Sequence, residues 1–244
     1  MNAIIFATVG TSALRNPGIG DVVGRDKGAQ LRSDVMTCLG RPLGLRDRCA
    51  AELGLEKLLT EAHAAYFRQQ FSVCLDPRNY LMSAAELTSM PALLEAIKER
   101  GEALQRLVLL ASDTPEGKLA ARVIQHVLTT PECFQLAPAK VEVVPVPGLN
   151  ETFENQFEKL TRALAEQVDH VASPRRVYIN MTGGFKGTVP FLTQIAWNCG
   201  YALYYQHEAQ SKSEIVELPG ARVAPDAEPT VTLVSSPAEW RRQF

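Results

Sequence analysis

The chain has 244 residues, of which 46% are hydrophobic, and a formal net charge of −2. That length suits one α/β unit with helices on both faces of a sheet, and the apolar content is enough for a sizeable core. The near-neutral balance excludes a broad basic face for duplex DNA and leaves room for a local basic pocket.

Ala3–Ala7 (AIIFA) is a short, β-branched apolar run, predicted as a buried strand that breaks at once into the loop Thr8–Ser12 (TVGTS). Residues 15–47, rich in Gly, Arg and Asp, read as an irregular insertion, either a lid or a mobile surface loop. Cys49–Gln70 has helical spacing through Leu53, Leu58, Leu59, Ala62 and Phe67. Ser83 is placed to cap a second helix towards Arg100, in one piece or in two divided at Pro91.

Leu104–Ala111 is a second buried strand, ending in Ser112-Asp113-Thr114-Pro115-Glu116-Gly117, with a helix to Leu128 after it. Val141–Val146 is a third strand, and Asn150 opens an amphipathic helix through Val171. Arg176–Met181 is a fourth, ending in Thr182–Lys186 (TGGFK), with a helix on to Cys199. Tyr201–Gln206 and Glu214–Leu218 are two more strands.

Strands alternating with helices in this way predict a Rossmann-like, doubly wound, mostly parallel sheet with helices on both faces. Residues 1–220 form the predicted domain, and 221–244 a C-terminal tail with Thr230–Val234 as one added strand.

The five cysteines, Cys38, Cys49, Cys74, Cys133 and Cys199, are dispersed without a CxxC pair. Such a set fits reduced thiols in a cytoplasmic protein better than a disulfide framework or a zinc site. No signal peptide is expected, and no apolar run approaches the ~20 residues that cross a bilayer.

Ligands of open α/β sheets bind at the carboxyl ends of the strands. Three loops of small, hydroxyl-bearing residues are expected there: TVGTS, SDTPEG and TGGFK. Glycine lets backbone N–H groups turn inward, and a following helix aims its first amides at the same spot, which is a recipe for holding phosphate. Lys186 sharpens the case. A cation in the first turn of the predicted helix opposes the helix dipole by ~0.3–1 kcal/mol, and an anion above it would explain the placement.

The SDTPEG loop has two readings. Ser112, Asp113 or Thr114 ahead of Pro115 makes a good helix cap, and the same residues could line the site. Neither GxxxxGK[ST] nor GxGxxG occurs, which disfavours a P-loop ATPase or a dinucleotide enzyme. His63, His126 and His170 fall in predicted helices and read as structural or solvated, while His207 follows a strand and could face the site. No pair has metal-ligand spacing, and neither metal nor cofactor is expected.

Four stretches together resemble the CRISPR-associated Rossmann-fold (CARF) domain: FATVGTSAL, LVLLASDTPEGKLAA, VYINMTGGFKGTVPFL and YALYYQHEAQSKSEIVELP. More narrowly they look like the CARF-only ring nucleases of type III CRISPR systems. The resemblance implies a homodimer that binds a cyclic oligoadenylate, tetra-adenylate foremost, across its two-fold axis. It implies a catalytic Ser12, with Thr11 beside it, and a catalytic Lys186. It also places Asn180, Thr182, Gly183 and Gly184 at the ligand. Gly10, Ser112, Asp113, Thr114 and Phe185 complete the expected binding set.

The reaction it implies is RNA self-cleavage assisted by the protein. A ribose 2′-OH attacks the adjacent phosphorus and leaves a 2′,3′-cyclic phosphate, a step that needs in-line geometry more than a strong base. With no histidine pair for acid–base catalysis, a slow, metal-independent enzyme is expected. Lys186 and the Gly183 and Gly184 amides would steady the developing phosphate charge, and Ser12 would fix the 2′-OH or a phosphate oxygen. Two other functions stay open: a sensor that only binds the ring and signals to a partner, and a different nucleotide-binding Rossmann enzyme. No effector motif follows the domain, which favours the nuclease.

Overall fold

The computed structural model describes residues 2–15, 25–72, 84–131, 133–134, 136–149, 153–169, 175–184, 186–206 and 214–217. Its centre is a six-stranded sheet of β1 (Asn2–Thr8), β2 (Ala103–Ser112), β3 (Val141–Val146), β4 (Arg175–Asn180), β5 (Ala202–Tyr205) and β6 (Glu214–Glu217), in the order β3-β2-β1-β4-β5-β6. The first five are parallel, and β6 closes the β5 edge antiparallel. The Rossmann-like, mostly parallel sheet expected from the strand–helix alternation is what the chain forms.

The strands read as continuous apolar runs because both faces of the sheet are covered. Ala3, Ile5, Ala7, Leu107, Leu109 and Tyr178 point into one core, while Ile4, Phe6, Val108, Leu110, Val177 and Ile179 point into the other. Each large side chain buried this way contributes about 1.5–3 kcal/mol. The first core is covered by α1 (Ser12–Arg15), α2 (Arg25–Leu39), α3 (Leu43–Leu53), α4 (Leu55–Ser72), α5 (Ala85–Glu99) and α6 (Pro115–Thr129). The second is covered by α7 (Phe153–Asp169) and α8 (Val189–Cys199).

Two sequence expectations need correction, and one left open is decided. Within residues 15–47, expected to be an irregular insertion, the described part is mostly helical: 25–39 form α2 and Leu43 starts α3. Leu31, Val35 and Cys38 sit at helical spacing and are buried, so the packing of one stripe overrides a Gly- and Arg-rich composition. Arg46 of α3 also pairs with Glu116 in the first turn of α6, tying this layer to the helix after β2.

Cys49–Gln70 is not one helix. Gly54 takes a left-handed φ of 61° and ends α3, so that α4 starts afresh at Leu55. The break turns Leu53 and Leu58 outward, at 40% and 44% exposure, while Leu55, Leu59 and Ala62 face the core.

Pro91 does not split α5. The helix loses one backbone hydrogen bond there, and the buried face of Leu87, Met90, Leu93 and Ile97 carries it through. Its N-cap is Ala84. Ser83, the predicted cap, lies outside the described residues, as do Asn150, Phe185, His170, His207 and Thr230–Val234.

Candidate functional site

Strand order reverses direction between β1 and β4, the point at which open α/β sheets form a crevice for ligands. The two strands run in register, Ala7 beside Asn180, so that Thr8–Ser12 and Thr182–Gly184 emerge side by side. The sequence had singled out both loops, and the topology brings them together.

What joins them is a residue that sequence reasoning missed. Glu86, in the first turn of α5, is 1% exposed and lies between the loops. Its Oε1 accepts the Gly10 N–H at 2.7 Å and the Gly184 N–H at 2.9 Å. Its Oε2 accepts the Ser12 hydroxyl at 3.0 Å. One carboxylate thus gathers both loops, and the N-terminus of α5 favours negative charge at that position.

The glycines make room for it. A Cβ on Gly183 would stand 2.2 Å from Glu86 Cδ. Gly184 has φ 85°, a conformation L side chains rarely adopt, and a Cβ there would stand 2.3 Å from Thr8 Oγ1. A Cβ on Gly10 would press on the Gly184 backbone at 3.1 Å. The two loops therefore touch backbone to backbone.

A second set of bonds fixes TGG from behind. Asn180, buried, donates from Nδ2 to Ser89 Oγ of α5 at 2.8 Å and accepts the Thr182 N–H at 3.0 Å. Thr182 Oγ1 accepts the Gln206 N–H at 3.0 Å, and the Thr8 hydroxyl donates to Gly183 O at 3.2 Å.

The Gly184 N–H, which the sequence reading turned towards phosphate, is directed at a carboxylate of the chain itself. Asn180 and Thr182 are held in the support beneath the loop. Thr11 is half-buried and its carbonyl accepts the Leu14 N–H in the α1 turn.

Lys186 also departs from expectation. It opens a 3-10 turn, Lys186–Thr188, and α8 starts only at Val189, so the lysine stands ahead of the helix. Its exposed side chain donates from Nζ to Thr182 O at 3.2 Å and lies 5.7 Å from the Tyr205 ring centroid. A carbonyl and an aromatic face balance part of its charge. The opposition to the helix dipole is correspondingly weaker than the sequence suggested.

The β2 loop behaves differently. Thr114 caps α6, with its Oγ1 accepting the Gly117 N–H at 3.1 Å and lying 2.8 Å from Ser112 Oγ. Asp113 is exposed and accepts the Gly148 N–H at 3.2 Å. Ser112, Asp113 and Thr114 thus close their own loop and the neighbouring β3–α7 turn.

His63 of α4 is fully buried, with Nε2 2.9 Å from Ala13 O, one residue beyond Ser12. Burial pushes its pKa down to about 4, against a smaller opposite effect of the Ala13 carbonyl. The ring is therefore neutral near pH 7 and donates to that carbonyl. His126 lies at the surface, 3.4 Å from Glu56. Among the described residues no three His, Cys, Asp or Glu side chains converge as metal ligands, and no helix is long and apolar enough to cross a membrane.

One signal for Glu86 was available, an acidic residue in a helix's first turn, but such residues ordinarily serve only their own helix end.

The family model described as CRISPR-associated protein (Cas_APE2256) matches residues 81–221. The match takes in Glu86, the β2 loop and TGGFK, and begins after TVGTS. No curated protein matches the chain.

Proposed function

The chain belongs to the CRISPR-associated protein (Cas_APE2256) family, which matches more than half of its length, and from that premise we propose that it is a ring nuclease of type III CRISPR signalling. Its substrate is a cyclic oligoadenylate, cyclic tetra-adenylate foremost, bound across the axis of a homodimer. A two-fold ring suits two copies of the same loops. The observation that carries this reading is the meeting of the Ser12 and Lys186 loops at the β1–β4 switch point.

The 2′-oxygen of one ribose attacks the adjacent phosphorus. The P–O5′ bond breaks, giving a 2′,3′-cyclic phosphate and a 5′-hydroxyl. The 2′-proton passes to solvent, and the departing 5′-oxygen takes one up. Ser12 holds the attacking ribose in line, where positioning alone can supply several kcal/mol. Lys186, at the loop surface, meets the charge that develops on the phosphate oxygens.

A binding-only sensor is the second reading, and one observation favours it. The Gly10 and Gly184 amides and the Ser12 hydroxyl proton are already engaged by Glu86, while Lys186 is an expected phosphate-holding group that Glu86 does not hold.

Incubation of the purified chain with labelled cyclic tetra- and hexa-adenylate separates the two. A ring nuclease yields linear products ending in 2′,3′-cyclic phosphate, unaffected by EDTA, and Ser12→Ala and Lys186→Ala slow their appearance. Tight binding without products supports the sensor, and neither binding nor products rejects both. Complete loss of cleavage on chelation would refute the metal-independent mechanism.

A further inference from the structure

Resting on the ring-nuclease reading, we propose that Glu86 is a positioning residue that sets the hydroxyl of Ser12 as a hydrogen-bond acceptor towards the substrate. A serine hydroxyl has one proton and two lone pairs. An ionised carboxylate only accepts, so the 3.0 Å contact with Glu86 Oε2 takes the Ser12 proton inward. The lone pairs are what Ser12 can then offer outward.

A phosphate oxygen, itself an acceptor, gains nothing from such a group. A ribose 2′-OH does, because it has a proton to donate. Ser12 in this state selects the 2′-OH as its partner and aims the nucleophile. The other carboxylate oxygen keeps the geometry rigid, since it holds the Gly10 and Gly184 amides at 2.7 and 2.9 Å. The glycine at 183 preserves the arrangement, because any side chain there would displace the carboxylate.

Glu86→Gln tests this with little change of shape. The amide oxygen can still accept from Gly10 and Gly184, but its NH2 now donates to Ser12 and reverses the hydroxyl. The expected result is a fall in kcat of about tenfold or more, with ring affinity little changed. In a Ser12→Ala background the same substitution should alter the rate by no more than about twofold, because its effect travels through Ser12. Melting curves establish that each variant folds. Should Glu86→Gln not fold, the cycle runs with Glu86→Asp, which draws the carboxylate back from Ser12.

A wild-type rate in Glu86→Gln, or an equal loss with and without the Ser12 hydroxyl, overturns this inference and leaves the nuclease standing. Tighter ring binding by Glu86→Gln overturns it too, since the carboxylate would then be competing with phosphate for the amides. Absence of cleavage by the unaltered chain overturns the nuclease reading itself, and this inference with it.

Discussion

The loops after β1 and β4 and the loop after β2 have much the same composition, yet they are built in opposite ways. TVGTS and TGGFK turn the Gly10 and Gly184 N–H groups and the Ser12 hydroxyl towards a carboxylate from α5, 74 to 98 residues away in sequence. SDTPEG turns its hydroxyls back on itself and on the first turn of α6. Small polar residues after a strand say that a loop is adaptable. They do not say whether it satisfies itself or waits for a distant partner. The difference shows in energy: a self-closed loop depends on a local cap, while a gathered loop depends on several elements staying in place.

That contrast can be broken by substitution. The largest effect is expected from Gly184→Ala, which combines a positive φ with a clash against Thr8. Strain and overpacking together should lower stability by about 3–4 kcal/mol, read from the denaturant midpoint. A loss under about 1 kcal/mol would mean that the two loops are not locked together.

The next effect is one of pH, at the base of the gathered loops. His63 has a folded pKa of about 4 against an ordinary 6.5. Between those values the unfolded chain binds the proton and the folded one does not, so stability is full above about pH 6.5 and falls as pH drops through the folded value. The slope is about 1.4 kcal/mol per pH unit for one group. Denaturation of His63→Gln measured from pH 7 to 4 should show a shallower decline than the unaltered chain. Parallel declines would mean that carboxylates alone govern the acid limb.

The smallest effect belongs to the self-closed loop. Thr114→Ala removes a cap bond and should cost about 1 kcal/mol. Hydrogen exchange should quicken at the Gly117 amide and stay unchanged at Gly184. Faster exchange at both would show that the β2 loop supports the switch point after all.

Particular residues show how far the sequence could be read. The runs AIIFA and RVYINM showed their strands because burial on both faces demands unbroken apolar stretches. Thr114-Pro115 showed a helix start because capping is local chemistry. The stripe Leu31, Val35, Cys38 was present but hidden among Arg, Asp and Gly, and it became a helix only through the layer packed against it. Leu53 and Leu58 fitted a helical repeat that Gly54 then interrupted.

By itself, then, the sequence determined the alternation of strands and helices, the mostly parallel class of the sheet though not its strand order, and the small-residue loops at the strand ends. These follow from short-range rules, since periodic burial and capping act over a few residues. Tertiary structure alone decided that β1 and β4 are neighbours, that Lys186 stands ahead of its helix, and that Glu86 holds Gly10, Ser12 and Gly184 together. A hydrogen bond between residues so far apart leaves no period in the sequence. It exists only once the chain has brought a buried carboxylate to the donors that keep it there.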